Sequence, residues 1–175
     1  MEASRQWQAE KGFIEAEKYF LLEDYAKALF YLQQVAELNP ETPTVHYKIA
    51  QVLSKSDKIE DLNRAIVSAE YAIRLDPKNK YFYLLASQIY TGLTNFARAA
   101  ALLETMMKEV KGTEEHLYEL AAIYQYDGKL EEAINTYDRT EALMGINEVS
   151  SLQKQKLYFE LGKPEQALQE GEKLL

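Results

Sequence analysis

The chain has 175 residues, 47% of them hydrophobic and 27% charged, with a formal net charge of −8. This is the composition of a folded domain with a core, and an acidic surface without a Lys/Arg block excludes the basic stripe of a nucleic-acid binder. Cysteine is absent, which removes disulfides and thiolate chemistry but fits either side of a membrane.

No apolar run approaches the roughly 20 residues of a membrane span, so no membrane insertion is expected. The opening MEASRQWQAEKGF lacks the apolar stretch of a signal peptide. The compartment stays open between the cytoplasm, for the chain as it stands, and the bacterial periplasm, if an upstream signal was removed. Only 7 Gly and 4 Pro interrupt a sequence rich in Ala, Leu, Glu, Lys and Gln, which predicts long helices joined by short turns.

The chain repeats itself. Ala28, Ala65, Ala99, Ala133 and Ala167 share one register with Tyr19, Leu53, Tyr90, Tyr124 and Tyr158, at a period of 34 residues lengthened once to 37. The first unit, about residues 9–40, has a helical stripe of Leu29, Leu32 and Ala36, a turn at Asp24, and a stop at Asn39-Pro40. Trp7 precedes it and is expected to pack as an N-terminal cap. The second, residues 43–77, carries three extra residues within positions 54–63 and stops at Asp76-Pro77.

The third unit, residues 80–111, has the stripe Tyr83, Ser87 and Tyr90 and a turn at Asn95. The fourth, residues 114–145, has Leu117, Ala121 and Tyr124, then a turn at Gly128. Its acid pairs Glu114-Glu115 and Glu131-Glu132 fall at helix starts, where exposed N–H groups stabilise carboxylates. Residues 112–147 hold two Lys/Arg against eight Asp/Glu, an acidic face that would prefer a basic partner segment. The fifth unit, residues 148–175, turns at Gly162 and restarts at Pro164. It is weak, with Ser151, Gln155 and Gly171 at apolar or small positions, and it stops at Leu174-Leu175 before a closing turn. The chain is thus expected to be excised from a longer protein, or to pack its C-terminal end on another molecule.

These columns resemble the tetratricopeptide repeat. The fourth unit matches through Leu117, Leu120, Ala121, Tyr124, Gly128, Ala133 and Tyr137, and the third through Tyr83, Ala86, Ser87, Tyr90, Asn95, Phe96, Ala99 and Leu103. The resemblance covers nearly the whole chain. It implies an all-α fold, a right-handed α-solenoid of about five helix-turn-helix pairs forming one domain over residues 1–175.

The same resemblance implies that the first helix of each pair lines a concave groove. On that basis the groove residues are Phe13, Tyr47, Gln51, Tyr81, Leu84, Gln88, Tyr118, Gln125, Tyr126 and Leu152, with Glu17 and Lys48 beside them. Tyr and Leu offer contact area at low entropic cost, and Gln offers donor and acceptor to an extended backbone, so the groove suits a protein or peptide segment. The Lys, Asn and Arg clamp with which some members grip carboxylate tails is missing, since Phe13, Glu17, Lys48, Tyr81 and Leu85 stand there.

No catalytic constellation is present. Gly162-Lys163 has no partner glycine at phosphate-loop spacing, and His46 and His116 lie two units apart, so neither cofactor nor metal is expected. The expected function is a protein-interaction module that is not an enzyme. The competing reading is a structural scaffold or homo-oligomer assembled through the open C-terminal end.

Overall fold

The computed structural model describes residues 1–175 and contains ten α-helices and one 3-10 turn, with no strand. The helices are α1 (Glu2–Leu21), α2 (Tyr25–Leu38), α3 (Pro43–Leu53), α4 (Ile59–Leu75), α5 (Lys80–Gly92), α6 (Phe96–Glu109), α7 (Leu117–Tyr126), α8 (Leu130–Met144), α9 (Glu148–Glu160) and α10 (Pro164–Glu172). The 3-10 turn, Glu114–His116, leads into α7. The chain divides into two compact units, Met1–Asn95 with α1 to α5 and Phe96–Leu175 with α6 to α10. No helix is long and apolar enough to cross a membrane.

The register alanines explain the close helix packing within each unit. Ala28, Ala65, Ala99, Ala133 and Ala167 are all buried, as are Ala16, Ala50, Ser87 and Ala121 of the small-residue column. A small side chain lets two helix axes approach, and the large residues beside it fill the remaining space. Gly12 shows the limit of this approach, because a Cβ built there would fall 2.5 Å from Cγ2 of Val35.

Four helices end in one shared way. Glu23, Thr94, Gly128 and Gly162 all adopt positive φ, and the following N–H donates to the carbonyl of the register tyrosine five residues back, as from Asp24 to Tyr19 and from Lys129 to Tyr124. This is a Schellman stop, which satisfies carbonyls that the helix leaves orphaned. The three extra residues of the second unit displace it. There α3 ends early at Leu53, and α4 starts at Ile59, so Ala65 is the seventh residue of its helix where the other register alanines are the fourth.

Two further contacts recur. Tyr90 donates to Glu70 and Tyr124 to Glu104 (3.2 Å), each pair twenty residues apart, so the phenol of one repeat is met by a carboxylate of the repeat before it. Tyr158 and Asp138 occupy the same register, and the Asp138 charge acts on the Tyr158 phenol. In the first unit His46 bonds the carbonyl of Pro40, and Tyr83 that of Pro77 (2.9 Å), tying each repeat's opening residue to the proline that closed the one before. The hydroxyl or ring nitrogen of a buried or half-buried aromatic needs such a partner.

The fifth repeat is held differently. Lys154 stands where the fourth has Leu120, its side chain is 0% exposed, and its ammonium lies 2.7 Å from Asp138, 2.9 Å from Glu141 and 2.7 Å from Glu170. Lys173 approaches Glu170 from the other side at 2.6 Å, and the Ser151 hydroxyl donates to the Glu170 carbonyl (2.8 Å). Helix α10 buries only Ala167 and Glu170, and Glu170 is tied to α9 by Lys154 and by the Ser151 hydroxyl.

Candidate interaction surface

In the first compact unit the expected inner-face residues lie on α1, α3 and α5. Phe13, Tyr47, Gln51 and Leu84 are half-buried, whereas Tyr81 and Gln88 are exposed, Tyr81 at 59%. Two contacts join these helices into one surface. Lys48 of α3 donates to Glu17 of α1 at 2.8 Å, and Tyr47 of α3 packs on Phe82 of α5 with ring centroids 5.2 Å apart. Glu17, Lys48 and Gln51 also line a small recess with Phe20, whose place in the surface was not foreseen from its sequence position. The Lys80 ammonium sits 5.4 Å from the Tyr81 ring centroid, leaving one face of that ring with a cation above it.

In the second unit the expected residues have different surroundings. Tyr118 is half-buried, accepts a hydrogen bond from Nδ2 of Asn147 (2.9 Å) and meets Tyr137 edge-on at 6.1 Å. Gln125 accepts from the Tyr137 hydroxyl (3.0 Å). Burial, and then the neighbouring Tyr118, raise the Tyr137 phenol above its ordinary pKa, so it remains a donor. Tyr118 and Gln125, both on α7, are therefore engaged by Tyr137 of α8 and by Asn147, which caps α9. Tyr126 is 73% exposed and stacks on Phe96 at 5.8 Å, and Leu152 is also exposed.

Trp7 departs from expectation. Instead of capping the first pair it is 61% exposed, with the Lys11 ammonium 5.2 Å from its ring centroid. It forms one wall of a cleft of about 670 Å³ between α1 and α2. Of the two histidines, His46 packs edge-on against Tyr71, and His116 lies between Glu115 and Glu119.

Residues 16–42, which span the last six residues of α1, the first Schellman stop and α2, match the family model of the tetratricopeptide repeat. The chain carries a tetratricopeptide repeat and has the tetratricopeptide-repeat fold. A crystal structure of MamA superimposes with a TM-score of 0.76 at 17% identity, over 95% of this chain and 89% of that one. MamA from Desulfovibrio magneticus RS-1 gives 0.71 at 16% identity, over 95% and 92%. YrrB, described as a tetratricopeptide-repeat protein with an unusual peptide-binding site, gives 0.67 at 17% identity, over 89% and 78%. At these identities the likeness is one of fold. No curated protein matches the sequence. The tetratricopeptide-repeat fold accounts for the tyrosine–carboxylate rungs, which join each repeat to the one before, and for the Schellman stops, which end the first helix within a repeat.

Proposed function

We propose that the chain is a protein-interaction module whose inner face, formed by α1, α3 and α5, receives a peptide or helical segment of a partner. The observation that carries this is the row Tyr81, Leu84 and Gln88 on α5, where an exposed aromatic and an exposed amide stand at helical spacing beside Tyr47 and Gln51. Soluble proteins bury most large aromatics, and an exposed tyrosine with an amide within one or two turns supplies contact area and backbone hydrogen bonding together. The description of YrrB as a peptide binder is consistent with this use of the fold.

Lys48 and Glu17 neutralise one another across the face, so the favoured ligand is an apolar, hydrogen-bonding segment instead of a charged tail. A peptide library displayed on phage and selected on the immobilised chain tests the reading. Enriched peptides are expected to lose binding when Tyr47, Tyr81 and Gln88 are changed together to Ala, with circular dichroism unchanged. Peptides that bind the triple variant as well as the parent would place the site elsewhere.

A further inference from the structure

The first helix pair contains a docking groove whose counterpart between α7 and α8 is occupied. In the second unit, Glu104 of α6 receives the hydroxyl of Tyr124 on α7 and the guanidinium of Arg139 on α8, at 3.2 and 2.7 Å. Met107, one turn on, also touches Arg139. Helix α6 therefore lies along the seam between α7 and α8, with a carboxylate five residues after its register alanine clasped by both.

On the α1–α2 pair the corresponding residues are Tyr19 and Gln34. Tyr19 is half-buried and stacks on Tyr31 (5.6 Å), and Tyr31 with Gln34 lines the cleft of about 670 Å³ that Trp7, Lys11, Gly12 and Val35 also border. The ammonium groups of Lys18 and Lys27 each lie 5.0 Å from the Tyr19 ring centroid. The seam thus has a phenol and an amide near the point where a carboxylate would arrive, with Lys11 on the cleft wall beside Glu15 and Glu37, and with Lys18 and Lys27 paired to Glu15 (3.6 Å) and Asp24 (3.4 Å).

Helix α10 and the turn that follows it carry the complementary surface. The residue after the register alanine is buried in α4, α6 and α8 as Ile66, Ala100 and Ile134, but in α10 it is Leu168, 65% exposed. Seven residues after that alanine stand the buried Val35, Ala72, Met106 and Thr140, and then Leu174, 45% exposed. Between them, at the place of Glu70, Glu104 and Asp138, is the exposed Glu172. All three residues that seat such a helix are present, Leu168 and Glu172 on α10 and Leu174 in the turn that follows it, and all three are uncovered.

We propose that the α1–α2 cleft is a docking site for α10 of a second copy of this chain, seated as α6 is seated on α7 and α8, with Leu168 and Leu174 against the seam and Glu172 at Tyr19 and Gln34. The contact is heterologous, one surface receiving a different one, so blocking either surface abolishes self-association while leaving the other surface competent. This does not rest on the inner-face reading, whose residues it does not use.

Sedimentation velocity of the 175-residue chain from micromolar to near-millimolar concentration provides the test, together with the emission of Trp7, the only tryptophan and a wall of the cleft. The parent is expected to gain mass with concentration and to shift its emission to the blue. A cleft variant, Lys11→Glu with Gln34→Glu, and a helix variant, Leu168→Glu with Leu174→Glu, should each stay monomeric with parental circular dichroism. Mixed together, they should form a one-to-one dimer with the emission shift, because each brings one intact surface. A parent that stays monomeric throughout, a variant that associates as the parent does, or a mixture that fails to pair would each overturn the proposal.

Discussion

Replacing Lys154 by Leu tests whether the fifth repeat is held by charge. Leu occupies this register position in the fourth repeat, as Leu120, so the repeat pattern favours the change. The structure dictates the opposite. Lys154 is fully buried, and its removal takes the cation from Glu141 and Glu170, whose side chains are 9% and 6% exposed, leaving Glu141 only the Ser150 hydroxyl (2.7 Å), while Asp138 at 52% can turn to water. Removing one partner of a buried pair costs about 3–5 kcal/mol. Lys173 stays on Glu170 but is 43% exposed, and such a partly solvated partner compensates weakly, which keeps the expected loss near ~3 kcal/mol. At about 2–4 °C per kcal/mol for a chain of this size, that is a drop of about 6–12 °C in Tm, measured by circular dichroism with urea denaturation alongside. Replacing the carboxylates too, as Lys154→Leu, Glu141→Leu and Glu170→Leu together, should return stability to within about 1 kcal/mol of the parent, since a well-packed apolar cluster can substitute for a buried ionic one. A single Lys154→Leu variant as stable as the parent would refute the reasoning.

The same network sets a pH dependence. Burial pushes the Glu170 carboxyl up, but Lys154 and Lys173 outweigh it and hold its pKa low; burial pulls Lys154 down, but Asp138, Glu170 and Glu141 hold it high. Glu170 therefore contributes stability above the ordinary carboxylate range and loses it as pH falls through its own lowered pKa. Lys154 contributes fully below the ordinary lysine value and loses it only above. Urea midpoints should be flat around neutrality and fall in acid, with a smaller acid fall for the triple-leucine variant. Gly12→Ala should destabilise despite the better helix propensity of Ala, because its Cβ meets Val35; the expected cost is about 1–3 kcal/mol, relieved by adding Val35→Ala. Thr94→Gly should stabilise by about 1 kcal/mol in the same urea assay, since a β-branched residue is held there at a φ of 57°. Tyr124→Phe should cost about 1 kcal/mol, leaving Glu104 to Arg139 alone.

The repeat was legible because its signature positions are local packing rules. An alanine every 34 residues records a place where two helices must approach, and a turn residue at Gly128 or Gly162 records a backbone that must enter positive φ. Both requirements recur with the chain and leave a periodic trace. The tyrosine–carboxylate rungs were half legible, since the Tyr column is plain while its partners lie twenty residues back in a column of Gln33, Glu70, Glu104, Asp138 and Glu172 that reads as ordinary surface charge.

What the sequence by itself determined was the fold class, the period and the place of the three-residue insertion, because these follow from spacing along one chain. Only the tertiary structure decided which side chains are occupied. Tyr118 and Gln125 are engaged by Asn147 and Tyr137, Tyr81 and Gln88 stand exposed, Trp7 borders an open cleft, and Lys154, which reads as a flaw in the fifth repeat, is its buried ionic centre. Each of these outcomes depends on a partner distant in sequence meeting the side chain in space, and helical periodicity carries no record of such a meeting.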